Sequence, residues 1–177
     1  MRRYDNDGLR ESRGAPDGRL VRVVAPGVPL DGAATTPRRS LDGGRLTPAV
    51  VPGKRLLLVE DNELALEILA FLLRGRGYTV STAANGREAL ARLRAGPAPD
   101  CIVLDLRLPV MDGRQFRASQ LADPALAGIP VLLLSGQPGL PQEAAALGAA
   151  GYLQKPVGDA DLVAAVEQCC RAAAPAP

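Results

Sequence analysis

Residues 101–113 read "CIVLDLRLPVMDG". Cys101 to Leu104 form an unbroken apolar run, Asp105 closes it, and Gly113 follows Met111-Asp112. A short apolar run without alternation is a strand buried on both faces. Such strands belong to parallel sheets with helices packed on either side. In these sheets ligands gather beyond the carboxyl ends of the strands. A carboxylate placed at that end is therefore positioned for chemistry rather than for packing.

The same pattern repeats on both sides of this stretch. Upstream, "RLLLVED" is a buried strand closing on Glu60-Asp61. "NELALEILAFLLRGRG" follows as a helix, with Asn62 as its cap and Ala65, Ile68, Leu69 and Leu72 at helical spacing. Gly75 and Gly77 end it. "YTVSTA" reads as a strand, and "NGREALARLRAG" as a helix with Ala89, Leu90 and Leu93 inward, stopped by Gly96-Pro97. Downstream, "GRQFRASQLAD" is a short helix and "IPVLLLS" a strand. "LPQEAAALGA" is a weaker helix with Pro138 and Pro141 near its start, and "GYLQK" a short strand. "DADLVAAVEQCCRAAA" is the last helix, with Asp159 as its expected cap. Five strands alternating with five helices predict an α/β fold, a doubly wound parallel sheet covered on both faces.

Residues 1–53 differ in character. "PLDGAATTPRRSLDGG" and "LTPAVVPGK" are dense in turn and breaker residues, and no period of 2 or 3.6 persists. This basic Gly/Pro-rich leader is expected to be disordered, the folded domain to span 54–172, and 173–177 to be a tail. Through Arg55 there are eleven Lys/Arg against six Asp/Glu, and from Leu56 on ten against thirteen. The mildly acidic domain argues against nucleic-acid binding by that part. No apolar run is long enough to span a bilayer. The chain has no His, which removes imidazole base catalysis and a His phosphocarrier from its own repertoire. Its three Cys lack zinc spacing, and a cytoplasmic setting is expected.

Parallel strands bring the ends of all five to one edge of the sheet. That edge would gather Glu60, Asp61 and Asp105 with Ser135 and Lys155. Clustered carboxylates repel one another unless a cation is present. Oxygen ligands without His or Cys select Mg²⁺ or a similar hard ion. A carboxylate beside such an ion stays ionised and can attack phosphorus, with charge neutralisation from Lys155 and Ser135.

At these residues the chain resembles the receiver domain of two-component response regulators. "LLLVEDN", "VLDLRLPVMDG", "VLLLSG" and "GYLQKP" stand in that family's order and spacing, over Arg55 to about Arg171. The resemblance implies a CheY-like, flavodoxin-like sheet of order 2-1-3-4-5 flanked by five helices. It implies that Asp105 accepts the phosphoryl group. Glu60, Asp61, Asp105 and the backbone carbonyl of Arg107 would hold Mg²⁺. Ser135 and Tyr152 would form the switch, and Lys155 would bridge Asp105 and the phosphoryl group. Pro156 sits where the family often has a cis peptide bond, and Gly113 would permit the turn into the third helix. The implied partners are a histidine kinase or His-phosphotransfer protein docking near the first helix, and a downstream protein target. A homodimer through the fourth-helix face stays open. The implied chemistry is limited to the domain's own phosphoryl transfer and autodephosphorylation. Two other readings belong to the same residues: a receiver detached from a hybrid histidine kinase, and a pseudo-receiver that only binds. Aspartyl-phosphate phosphatases usually carry a second acid two residues after the nucleophile; Arg107 occupies that place.

Overall fold

The computed structural model describes residues 22–23 and 53–172. Apart from Arg22–Val23 and Gly53, the predicted leader and the tail lie outside the described residues. In chain order the elements are β1 (Arg22–Val23), β2 (Arg55–Val59), α1 (Glu63–Gly75), β3 (Thr79–Ala83), α2 (Gly86–Ala95) and β4 (Cys101–Asp105). They continue with α3 (Gly113–Leu121), β5 (Val131–Ser135), α4 (Leu140–Ala146), β6 (Gly151–Gln154) and α5 (Asp159–Ala172).

The five predicted strands are all parallel and lie in the order β3-β2-β4-β5-β6, which is 2-1-3-4-5 of the predicted set. β1 adds a strand that sequence reading did not find: Arg22 pairs antiparallel with Tyr152, and Val23 with Gly151. Two residues are too short for a periodicity to register.

Strand alternation sorts the core into two layers. Leu56, Leu58, Cys101, Val103, Leu132 and Leu134 face α1 and α5. Leu57, Val59, Ile102, Leu104 and Leu133 face α2, α3 and α4, together with Leu90 and Phe116. Each fully buried Leu contributes about 2–3 kcal/mol of transfer free energy. The uninterrupted apolar strands are needed because both faces are covered.

The Asn62 cap acts as read, and the structure adds two more. Asn62 accepts from the Ala65 N–H, Asn85 caps α2 through the Glu88 N–H, and Asp112 with Gln115 forms a capping box on α3. Two readings are corrected. Asp159 is the first residue of α5, while the Gly158 carbonyl receives the Leu162 N–H, so Gly158 holds the cap position. Ile68 is exposed rather than inward. The buried stripe of α1 instead runs through Ala70 and Leu73, flanked by Leu66, Leu69 and Leu72. An apolar-rich helix offers more than one hydrophobic face, and tertiary contact chooses between them.

Candidate functional site

Three strand ends and one turn build the site. Asp105 is the last residue of β4, and Glu60-Asp61 follows β2 directly. The Glu60 N–H donates to the Ala83 carbonyl (3.1 Å), so the sheet ladder runs one residue past β2 and fixes that backbone. Lys155 follows β6, and its N–H donates to the carbonyl of Ser135, the last residue of β5 (2.9 Å). The Lys155–Pro156 peptide bond is cis.

Glu60, Asp61 and Asp105 can each direct one carboxylate oxygen to within 4.8 Å of the others. At that distance two like charges repel by about 3–4 kcal/mol in a partly buried setting. Glu60 and Asp105 are buried, and Asp61 is exposed. Lys155 Nζ bridges the two buried acids, 2.5 Å from Glu60 Oε2 and 2.5 Å from Asp105 Oδ2. Burial pulls the Lys155 ammonium toward neutrality, but its hydrogen bonds to Asp105 and Glu60 and their charges outweigh this. Its pKa is raised on balance. One ammonium among three carboxylates leaves the cluster short of positive charge. The donor set is all oxygen, with one acid open to solvent, which suits a hard divalent cation such as Mg²⁺.

A cleft opens over these groups, lined also by Asn62, Leu64, Ala65, Ile68 and Arg107. The Arg107 N–H donates to Asp105 Oδ1 (2.9 Å), orienting the carboxylate. Ser135 stands apart from this group. It is fully buried, does not line the cleft, and its Oγ accepts the Gln137 N–H (3.2 Å). Tyr152 lines a different, apolar groove, half-buried with Pro141, Ala144, Ala145, Gly148 and Ala149.

Gly113 acts by proximity, since its φ is not positive. A Cβ there would lie 2.6 Å from the Asp105 carbonyl oxygen and 2.8 Å from Leu106 Cα. The glycine lets the start of α3 press against the strand that carries Asp105. Val110, in the intervening loop, adopts φ +67°, a strained conformation for a β-branched residue.

The response regulator receiver domain model matches residues 56–167. The chain belongs to that family. Receiver domains are similar to it in sequence and in structure. It is 38% identical over 127 residues to the alkaline phosphatase synthesis transcriptional regulatory protein SphR of Synechococcus elongatus, covering 66% of this chain and 49% of that protein. It is 39% identical over 122 residues to the transcriptional regulatory protein PdtaR of Mycobacterium tuberculosis, covering 67% and 57%. The chain thus spans about half the length of the curated relatives it matches. The chemotaxis response regulator CheY4 of Vibrio cholerae superposes with a TM-score of 0.61 at 31% identity, covering 66% of this chain and 98% of that one.

Sequence reading missed two features near the site. Leu64 and Ile68, with Phe71 a turn beyond, form an exposed apolar stripe on α1, 67%, 55% and 81% exposed. Their 4- and 3-residue spacing was visible in the sequence, but so was a competing inward stripe. The second is a pair of α3 arginines that grip α4. Arg114 pairs with Glu143, and buried Arg117 donates to the Leu147 and Gly148 carbonyls. Nothing local in "GRQFRASQ" marks Arg117 as buried.

Proposed function

We propose that this receiver takes a phosphoryl group onto Asp105 and uses the modified carboxylate to change its protein partners. The observation that carries the reading is the Lys155 ammonium held between Asp105 and Glu60 beside the exposed acid Asp61. Glu60, Asp61 and Asp105, with the backbone carbonyl of Arg107, would hold Mg²⁺. When bound, the ion supplies positive charge for the phosphoryl oxygens.

An Asp105 carboxylate oxygen attacks phosphorus, an O–P bond forms, and the bond to the donor breaks. With no His in the chain, the donor is a phospho-His on a kinase or phosphotransfer protein, or a small acyl phosphate. Lys155 already lies against Asp105 and neutralises charge that develops on the transferred group. The Arg107 N–H fixes the carboxylate's rotation. The stripe of Leu64, Ile68 and Phe71 runs along α1 from the cleft, and the donor protein docks there by apolar burial.

Ser135 hydrogen-bonds the phosphorylated side chain once its Oγ leaves the Gln137 N–H, and Tyr152 repacks in its groove. The face of α4, β6 and α5 then presents a new surface to a downstream target. This is a population shift biased by local charge. Hydrolysis of the acyl phosphate resets it. The free thiols fit a cytoplasmic setting, and no described helix is long and apolar enough to cross a membrane.

The test is intact mass after incubation with acetyl phosphate, with and without Mg²⁺. A Mg²⁺-dependent gain of one phosphate that Asp105→Asn abolishes is expected. Equal labelling of Asp105→Asn removes Asp105 from the role of acceptor. Labelling by neither acetyl phosphate nor a phospho-His protein would make the chain a binding module.

A further inference from the structure

Gln137, two residues past β5, is where three elements meet. Its N–H donates to Ser135 Oγ (3.2 Å), its carbonyl accepts from Gln154 Nε2 (3.2 Å), and its side-chain Oε1 accepts from Arg114 Nη2 (3.4 Å). Ser135 closes β5, Gln154 closes β6, and Arg114 is the second residue of α3. The residue that holds the Ser135 hydroxyl is thus itself held from two sides.

Arg114 carries one of those holds onward to α4. Its Nε and Nη2 form a fork on the Glu143 carboxylate, with Nη2 2.8 Å from Oε2. A two-pronged arginine bond fixes orientation as well as distance. Glu143 lies in the first turn of α4. The hydrogen bond between them raises the pKa of Arg114 and lowers that of Glu143, so both stay charged. Nη2 serves Glu143 and Gln137 together, so one guanidinium ties the loop after β5 to the helix that follows it. The two side chains are 44% and 27% exposed, and a pair so open adds little to the stability of the fold. Its effect falls on position.

The backbone of Arg114 is anchored at the acceptor. Gly113, just before it, donates to the Leu106 carbonyl (3.1 Å) and lies against the Asp105 carbonyl oxygen. A continuous set of contacts therefore runs from the Asp105 backbone through Gly113 and Arg114 to Gln137, and from there to Ser135. Neither Arg114 nor Gln137 lines the cleft. The acceptor and the hydroxyl that must meet it are joined by a second path outside the site of chemistry.

We propose that Arg114 is a positioning residue for the switch: its fork on Glu143 and its bond to Gln137 latch the loop after β5, and Ser135 is released when that latch opens. The inference rests on the reading of Asp105 as acceptor and of Ser135 as the group that moves to it. The latch belongs to the unmodified arrangement, so its loss favours the modified one. An exposed ion pair suits this task, because it opens at small cost.

The test uses the full chain and two readouts. Amide hydrogen exchange at Gln137, followed by NMR without any phosphodonor, reports the hold on the loop. The half-time of acetyl-phosphate labelling with Mg²⁺, followed by intact mass, reports the switch. Arg114→Ala and Glu143→Gln should each speed Gln137 exchange and shorten the labelling half-time by about two- to fivefold. The double variant should do no more than either single one, because all three break the same pair. Arg114→Lys keeps the charge without the fork and should fall between wild type and Arg114→Ala. A merely structural role would slow labelling as the fold weakens. Slower or unchanged labelling overturns the proposal, as does exchange at Gln137 that stays at the wild-type rate. Additive effects of the two substitutions overturn it too, since the residues would then act separately. A wild-type chain that takes no phosphate is a different failure: it overturns the acceptor reading and the switch role with it, and Gln137 exchange still reports whether Arg114 holds the loop.

Discussion

Replacing Arg117 by Met is the sharpest test of how α4 is held. Arg117 is only 5% exposed and has no carboxylate partner among the described residues. Its Nε donates to the Leu147 carbonyl (2.9 Å), Nη2 to the Gly148 carbonyl (2.8 Å) and Nη1 to Gln120 Oε1 (2.7 Å). Leu147 and Gly148 directly follow α4, so a side chain from α3 satisfies carbonyls that a helix leaves open. Burial lowers the arginine's pKa, a sign of the desolvation these bonds must offset. Each charge-assisted bond is worth about 1.5–3 kcal/mol, and the recovered solvation of the guanidinium returns several kcal/mol. The Gly148 carbonyl can turn to water, but Gln120 is fully buried, and losing its partner costs about 1–3 kcal/mol. The net expectation for Arg117→Met is a loss of about 2–4 kcal/mol. Arg117→Lys keeps the charge but not the fork, and should lose about half as much. Urea unfolding followed by circular dichroism measures this as a midpoint lowered by about 1–3 M for Met, with unchanged slope. A Met variant within about 0.3 M of wild type, or a Lys variant worse than Met, would refute the claim that these bonds hold α4.

Three further expectations follow from particular side chains. Desolvation first, then the charges of its neighbours, raises the Tyr78 pKa to about 12, against about 10 when unfolded. Its contribution is therefore intact below pH 10 and lost between pH 10 and 12. That span corresponds to about 2–3 kcal/mol that Tyr78→Phe should not lose, while gaining about 1 kcal/mol at pH 8 by removing the unpartnered hydroxyl; urea midpoints from pH 8 to 12 compare the two. Gly113→Ala drives a methyl into the Asp105 carbonyl and should cost about 2–3 kcal/mol by thermal melt, where a loose turn would cost a few tenths. Lys155→Ala should slow acetyl-phosphate labelling by more than tenfold while leaving Mg²⁺ affinity, read by Tb³⁺ or Mn²⁺ competition, within about threefold. Equal loss of both would remove Lys155 from phosphoryl neutralisation.

Where the sequence was legible, the signal was local. The apolar runs 56–59, 101–104 and 131–134 could only be buried strands, and parallel pairing then carried Glu60, Asp105 and Lys155 to one edge without further information. Asn62 announced its helix because a cap is bonded within three residues. What stayed hidden depended on contact at a distance. Ile68 could not be assigned a side without knowing which face of α1 the sheet covers. Arg117 finds its acceptors about 30 residues away, and no pattern around it predicts burial. Ser135 was placed at the right edge, yet its full burial behind the cleft follows from packing between β4 and β6. Gly113 was recognised as necessary, but the reason, a carbonyl 2.6 Å from the missing Cβ, is tertiary.

The pairing of Arg22–Val23 with β6 bears on how copies of this chain meet. A sheet's outermost strand presents unpaired N–H and C=O groups, a template for addition by a foreign strand. At Gly151 and Tyr152 that template is already taken, by an antiparallel strand of the same chain. The opposite rim, β3, exposes Thr79 and Ser81 rather than an apolar surface. Association by strand addition at β6 must first displace a covalently tethered competitor. The β6 side of the sheet thus ends on a pairing made within one chain.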